Sequence, residues 1–240
     1  SRGATISRKT REAISRIQGD IPKIAISREK NEDELTEYDI MVAMSSSNPD
    51  LRALVEFWAE DTKYCWDGVA ARAEWIALRQ ISLGKVKFTN SNNAAVVTEY
   101  DVDYLIPAEQ KIGVETAYNS GTGAKPLTKD IPKAIKLGKK LFGATYKFAF
   151  MNVDTFEKFA SQEEVWKKCS SYIQNATGTQ DSPDLATVNA YLAKKKELYR
   201  GLQFIVIDQE ITIELADGSR VTSNPFEDDV ILFSESKVLG

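Results

Sequence analysis

WDGVAARAEWIALRQISLGKV, residues Trp66 to Val86, is the stretch on which the fold turns. It contains no proline. Its apolar residues recur at offsets of three and four until Gly84, after which Lys85-Val86 begins a different pattern. That is a helix stopped by a glycine and followed at once by a strand. Upstream, the same stripe extends through Leu51, Leu54, Val55, Trp58, Thr62, Cys65, Val69, Arg72, Ile76 and Leu83. Asn48 suits an N-cap and Pro49 the first helical position. The pattern therefore predicts one helix over 49–83, 35 residues, or about 50 Å at about 1.5 Å per residue. Gly68 is the expected place for any kink. A helix of this length is a spine, and something large must pack along it.

Downstream, Lys85–Thr89 and Ala95–Tyr100 read as two strands joined across Asn90-Ser91-Asn92-Asn93, with Asp103–Ile106 extending the region to Pro107. Residues 117–126 read as a flexible loop. Asp130–Leu141 is an amphipathic helix with Pro132 in its first turn, and Tyr146–Met151 is an apolar strand. Asp154 is placed to cap a short helix, and Ser161 to begin another that reaches about Ile173. Asp184–Tyr199 is a Lys-rich helix and Leu202–Ile207 a strand. Glu210–Leu215 pairs with Arg220–Thr222 as a hairpin, and Val230–Phe233 is the last strand. Toward the N-terminus, Glu32–Met44 suits a short helix and Ile21–Ile26 a short strand, and residues 1–20 form a polar arm. Helices and strands segregate in this way in an α+β fold.

Composition fits a globular protein: 240 residues, 42% hydrophobic and 28% charged. No apolar run approaches the roughly 20 residues of a membrane span. Charge is uneven. Residues 1–30 hold eight Lys/Arg against three acids, a net of +5, so the remainder of this −4 chain sums to −9. A basic arm on an acidic body suits the acidic surface of a neighbouring subunit, and also nucleic acid. The arm lacks interleaved aromatics, which favours the neighbour. The chain has no histidine, so a Ser-His-Asp triad, a Cys-His pair and a His-based zinc site are excluded. Cys65 and Cys169 stand about a hundred positions apart, outside any metal-binding spacing, and read as two buried thiols. Asn175-Ala176-Thr177 matches a glycosylation sequon without a secretion signal beside it.

Candidate chemistry is thin. Ser120-Gly121-Thr122-Gly123-Ala124-Lys125 holds glycines near a lysine, but Pro126 follows and no helix is expected to start there, so it reads as a surface loop. Gly138-Lys139-Lys140 reads as a solvated helical face. The acid pairs Glu60-Asp61, Asp101 with Asp103, Glu163-Glu164 and Asp228-Asp229 lack the spacing of a metal loop or a glycosidase pair. Asp101 and Asp103 share one face of a strand. The aromatics Phe57, Trp58, Tyr64, Trp66 and Trp75 lie on more than one side of the spine, as expected for core packing combined with a subunit contact. Arg72 and Glu74, two positions apart on a helix, must find different partners. The expectation is a protein that is not an enzyme and needs no cofactor.

Three stretches resemble major capsid proteins of tailed phages and prophages. The first is the Glu-rich lead-in from Ser27 to Met44. The second is Trp66 to Val86, similar to a helix-to-strand junction of that family. The third is Asp103-Tyr104-Leu105-Ile106-Pro107, taken with Phe148–Phe156 and the closing segment Phe204–Gly240 that includes Asn224-Pro225-Phe226. The resemblance implies the Hong Kong 97-type capsid fold. Residues 1–20 would be an arm, 21–128 a peripheral domain around the spine, 129–202 an axial domain, and 203–240 the returning strands. It implies a structural subunit that self-assembles into an icosahedral head around phage double-stranded DNA. The alternative within the same fold is an encapsulin-like compartment shell. Expected partners are copies of the chain itself in hexamers and pentamers, scaffold, portal and decoration proteins, and enclosed DNA bound without sequence specificity. Expected location is the virion capsid, assembled in the bacterial cytoplasm. The residues expected to matter for fold and assembly are Trp58, Trp66, Arg72, Glu74, Trp75, Asp103, Pro107, Asp154, Asn224 and Pro225.

Overall fold

The computed structural model describes residues 24, 31–45, 47–58, 60–89, 100–119, 123–169, 182–214 and 219–238. The expected arm (1–20), almost all of the strand at 21–26, the turn at 90–93 and the Gly-rich residues 120–122 lie outside that set.

Three helices open the described chain. α1 spans Glu32–Ser45, α2 Pro49–Trp58 and α3 Asp61–Leu83. α1 starts with a capping box: Asn31 Oδ1 accepts from the Glu34 amide at 2.8 Å, and Glu34 Oε2 accepts from the Asn31 amide at 3.1 Å. Asn48 caps α2 as expected, its Oδ1 accepting from the Asp50 amide at 3.1 Å. The single 35-residue spine is not what forms. It breaks at Glu60, whose ψ of 61° leaves the helical region, and its carbonyl accepts the first bond of α3 from Tyr64. Gly68 lies inside α3. α3 ends where the sequence predicts. Gly84 takes the left-handed conformation at φ 72° and donates to the Gln80 carbonyl at 2.7 Å.

β1 (Lys85–Phe88) pairs antiparallel with β2 (Tyr100–Asp103). Of the second strand expected at 95–100, residues 95–99 lie outside the described residues; from Tyr100 the strand runs on to Asp103. The register sets Lys85 opposite Asp103 and Lys87 opposite Asp101, so the two acids on one face of β2 lie across from two lysines of β1. Val86 and Phe88 point the other way and are buried.

The core lies in the C-terminal half. β3 (Phe148–Asn152) is the middle strand of a three-stranded sheet, parallel to β4 (Gln203–Ile207) and antiparallel to β7 (Leu232–Ser234). Its helices are α4 (Ile131–Phe142), α5 (Val153–Ala160), α6 (Glu163–Cys169), α7 (Leu185–Lys194) and α8 (Lys196–Tyr199). The expected helix over 184–199 is interrupted at Lys195. Leu127, Ile131, Ile135, Ala149, Met151, Phe159, Val165, Val188, Leu192, Tyr199, Leu202 and Phe204 form one buried cluster. Burying a large apolar side chain contributes about 1.5–3 kcal/mol, so this cluster dominates stability. β5 (Ile211–Glu214) and β6 (Arg220–Ser223) make the expected hairpin. The fold is α+β, and no helix among the described residues is long and apolar enough to cross a membrane.

Two local expectations are corrected. α5 is capped by Asn152, whose Oδ1 accepts from the Thr155 amide at 2.8 Å, while Asp154 is exposed in the first turn. The last residue of β3 already has extended backbone and doubles as the cap. A helical turn does begin after Lys125: Pro126–Asp130 forms one wide turn leading into α4.

Candidate assembly surface

That wide turn carries free backbone amides of the kind that hold phosphate or another anion at a helix start. Its free amides at Leu127 and Thr128 point at Glu164, whose Oε2 accepts from them at 2.9 and 3.2 Å, and the Thr128 hydroxyl also donates to this carboxylate. A built-in carboxylate holds the position that an anion would take. Burial raises the Glu164 pKa, but the Thr128 bonds and Lys168 at 3.3 Å outweigh it and hold the group below the usual glutamate range.

Two adjoining cavities, about 250 and 470 Å³, lie between residues 109–119, α4 and the segment 229–233. Three of their titratable groups, Tyr118, Asp130 and Asp229, are engaged. The Tyr118 hydroxyl donates to Asp130 at 2.9 Å, and burial together with that carboxylate raises its pKa. Asp229 pairs with Lys158 at 2.8 Å. Among the described residues no group of three Cys, Asp or Glu converges as a metal site. Both cysteines are free and only partly buried, and burial pushes the Cys169 thiol up to about 11.

The sequence-predicted residues fall into separate places. Trp58 ends α2. Trp66 stands 75% exposed on α3. Arg72 lies 4.4 Å from the Trp75 ring centre and 5.8 Å from that of Phe88, which ties α3 to β1 through cation–π contacts. Its Nη1 and Nη2 are buried and have no hydrogen-bond partner among the described residues. Glu74 is exposed. Asp103 Oδ1 accepts from the Leu105 amide at 2.8 Å and supports the positive φ of Leu105, and exposed Pro107 precedes a short turn at Ala108–Gln110. Asn224 donates to the Ile207 carbonyl at 2.8 Å and accepts from the Phe226 amide at 3.0 Å, beside buried Pro225. This clamp leads to Glu227, which pairs with Arg79 of α3.

Sequence reasoning named Glu164 only as one of an acid pair, without its bonds to residues 127–128, and did not name Asn189. Asn189 bonds both backbone groups of Phe204, at 2.7 and 3.0 Å, and so fixes α7 to β4. Neither bond has a local sequence signal, because the partners lie 36 and 15 residues away.

The distribution of burial is uneven. No described residue of α3 is buried, and its Trp75, Ile76, Leu78, Ile81 and Leu83 are only half-covered. Leu35, Ile40, Val42 and Met44 of α1, Leu51 of α2 and Tyr64 of α3 are exposed. Large apolar side chains on three successive helices thus remain in contact with water.

No family model matches the chain, and no curated protein does. Among solved structures, it is similar to one described as the "putative capsid protein of prophage (E.coli CFT073)", with a TM-score of 0.40 and 14% identity. The match covers 88% of this chain and 54% of that one, so the chain spans about half the length of its structural neighbour.

Proposed function

We propose that the chain is a structural capsid subunit of a tailed phage or prophage, built on the Hong Kong 97-type fold. In this reading, α2 and α3 are the spine of the peripheral domain, residues 129–202 are the axial domain, and 203–240 return to it. The subunit associates with copies of itself in hexamers and pentamers to enclose double-stranded DNA, and catalyses nothing.

One observation carries the reading: α3, 23 residues long, bears Trp66 and Tyr64 in the open and has no buried residue among those described. An isolated protein rarely leaves such a helix uncovered, and contiguous exposed apolar surface marks association sites. The sequence resemblance supplies the kind of association. The acidic body suits a container wall, since it does not adhere to packaged DNA.

Negative-stain microscopy with light scattering, on the protein expressed beside its neighbouring genes, tests this. Closed shells or capsomers are the expected result. A protein that stays monomeric at high concentration in every condition overturns it, and shells filled with protein cargo rather than DNA replace it by the compartment reading.

A further inference from the structure

α4 and α1 carry opposite charge at the same spacing. On α4, Lys133, Lys136 and Lys140 are exposed along one face, with exposed Lys129 one turn ahead. The steps are four, three and four residues, which keeps the ammonium groups in one row of about 16 Å. Lys129 is engaged by Glu115 at 2.7 Å. Lys136 and Lys140 form no ion pair with any described residue. Between the lysine stems runs a shallow trough of about 320 Å³, floored by Pro132 and Leu137. A trough with an apolar floor and a cationic rim suits a helix that has both apolar and acidic residues on one face.

α1 is such a helix. It carries five acids, Glu32, Asp33, Glu34, Glu37 and Asp39, and no base. Asp33, Glu37, Ile40 and Met44 follow the same four, three, four steps and share one face. All four are exposed, Ile40 at 54% and Met44 at 74%. Duplex DNA would use the lysines but would leave the trough floor and the exposed apolar residues of α1 without a role.

We propose that α1 of one copy docks on the lysine-rimmed trough of α4 in a second copy; this rests on the self-assembly reading and names one of its contacts. Asp33 and Glu37 meet the lysine row, and Ile40 and Met44 cover half-exposed Leu137 and the lysine stems beside buried Pro132. Each copy offers one acidic helix and one basic trough on different elements. The contact is therefore head-to-tail, and it closes into a ring wherever the rotation between copies closes.

Charge reversal on the full-length chain tests it. One variant carries Lys136→Glu with Lys140→Glu, the other Asp33→Lys with Glu37→Lys; Asn31 and Glu34 are left intact to keep the cap of α1. Sedimentation velocity and light scattering are read at about 50 and 200 mM salt, which spans strong and weak screening. Either variant alone is expected to lose self-association about tenfold or more, and an equimolar mixture to regain it to within about threefold. Recovery on mixing excludes misfolding as the cause of the loss. Failure to recover overturns the docking. If both variants assemble like the unmodified protein, the docking fails and the shell reading stands. An unmodified protein that never associates removes both. If the lysine variant loses only binding to a 20-base-pair DNA duplex and still self-associates, the row is a phosphate surface and the docking is refuted.

Discussion

Replacing Gly84 by alanine strikes the junction between spine and sheet in two independent ways. The residue sits at φ 72°, where a Cβ collides with the following carbonyl, at a cost of about 1–2 kcal/mol. That Cβ would also come within 2.5 Å of Ile106 Cδ1 and 2.9 Å of its Cγ1. Forcing an extra methyl into such a gap costs about 1–3 kcal/mol. Together the two effects predict a loss of about 2–5 kcal/mol, so at a urea slope of about 2 kcal/mol per M the midpoint falls by about 1–2.5 M. Urea unfolding followed by circular dichroism reads this directly. A Gly84→Ala, Ile106→Ala double-mutant cycle then separates the parts. The clash disappears in the Ile106→Ala background and the backbone strain of about 1–2 kcal/mol remains. A Gly84→Ala loss within about 0.5 kcal/mol of zero, the range of an ordinary surface change, would refute both the left-handed cap and the close approach.

Three other outcomes are expected. Arg72→Met is expected to leave stability unchanged or raise it by about 1–2 kcal/mol in chemical denaturation, because two buried nitrogens without acceptors among the described residues cost more than the two cation–π contacts return; a loss above about 2 kcal/mol would mean that the guanidinium has an acceptor. The folded-state pKa of Glu164 is lowered, so its stabilisation is present above the ordinary value of 4.5 and is lost as pH falls toward the lowered one. Glu164→Gln should therefore cost stability at neutral pH and flatten the acid limb of the stability curve, and an unchanged limb counts against the bonds to residues 127–128. The Cys169 thiol, pushed up to about 11, should resist alkylation at pH 8 until the protein unfolds, so rapid labelling of the folded protein, followed by mass spectrometry, would contradict its burial.

The helix-to-strand junction was legible because its signals are local: a helical stripe, a glycine that alone tolerates the left-handed turn, and then alternation. The break at Glu60 was not, since no glycine or proline marks it and the stripe continues across it in phase. Asn152 and Asp154 are both good caps two positions apart, and the choice depends on where β3 ends, which its pairing with β4 and β7 decides. The lysines of α4 read as a solvated face because the sequence shows their spacing. Pro132 and Leu137 become the floor of a trough only once the opposite face of the helix is packed on the core. The hydrogen bonds of Glu164 and Asn189 are tertiary contacts with no periodic pattern to reveal them. Trp66 and Trp75 stand together in the stretch that carries the resemblance, and the structure separates the two: Trp75 stacks with Arg72 and Trp66 faces water.

The middle position of β3 shapes how the chain is made. Its two sheet partners lie far ahead in sequence, at Gln203–Ile207 and Leu232–Ser234. At about 5–20 residues per second, a ribosome needs roughly 3–10 s after finishing β3 to complete the first of them. Throughout that interval an apolar strand, FAFMN, has neither edge paired. Such an edge invites pairing with the same segment of another nascent chain. Yield in a heterologous host is therefore expected to depend on translation speed, temperature and chaperone supply, even where the finished subunit is stable.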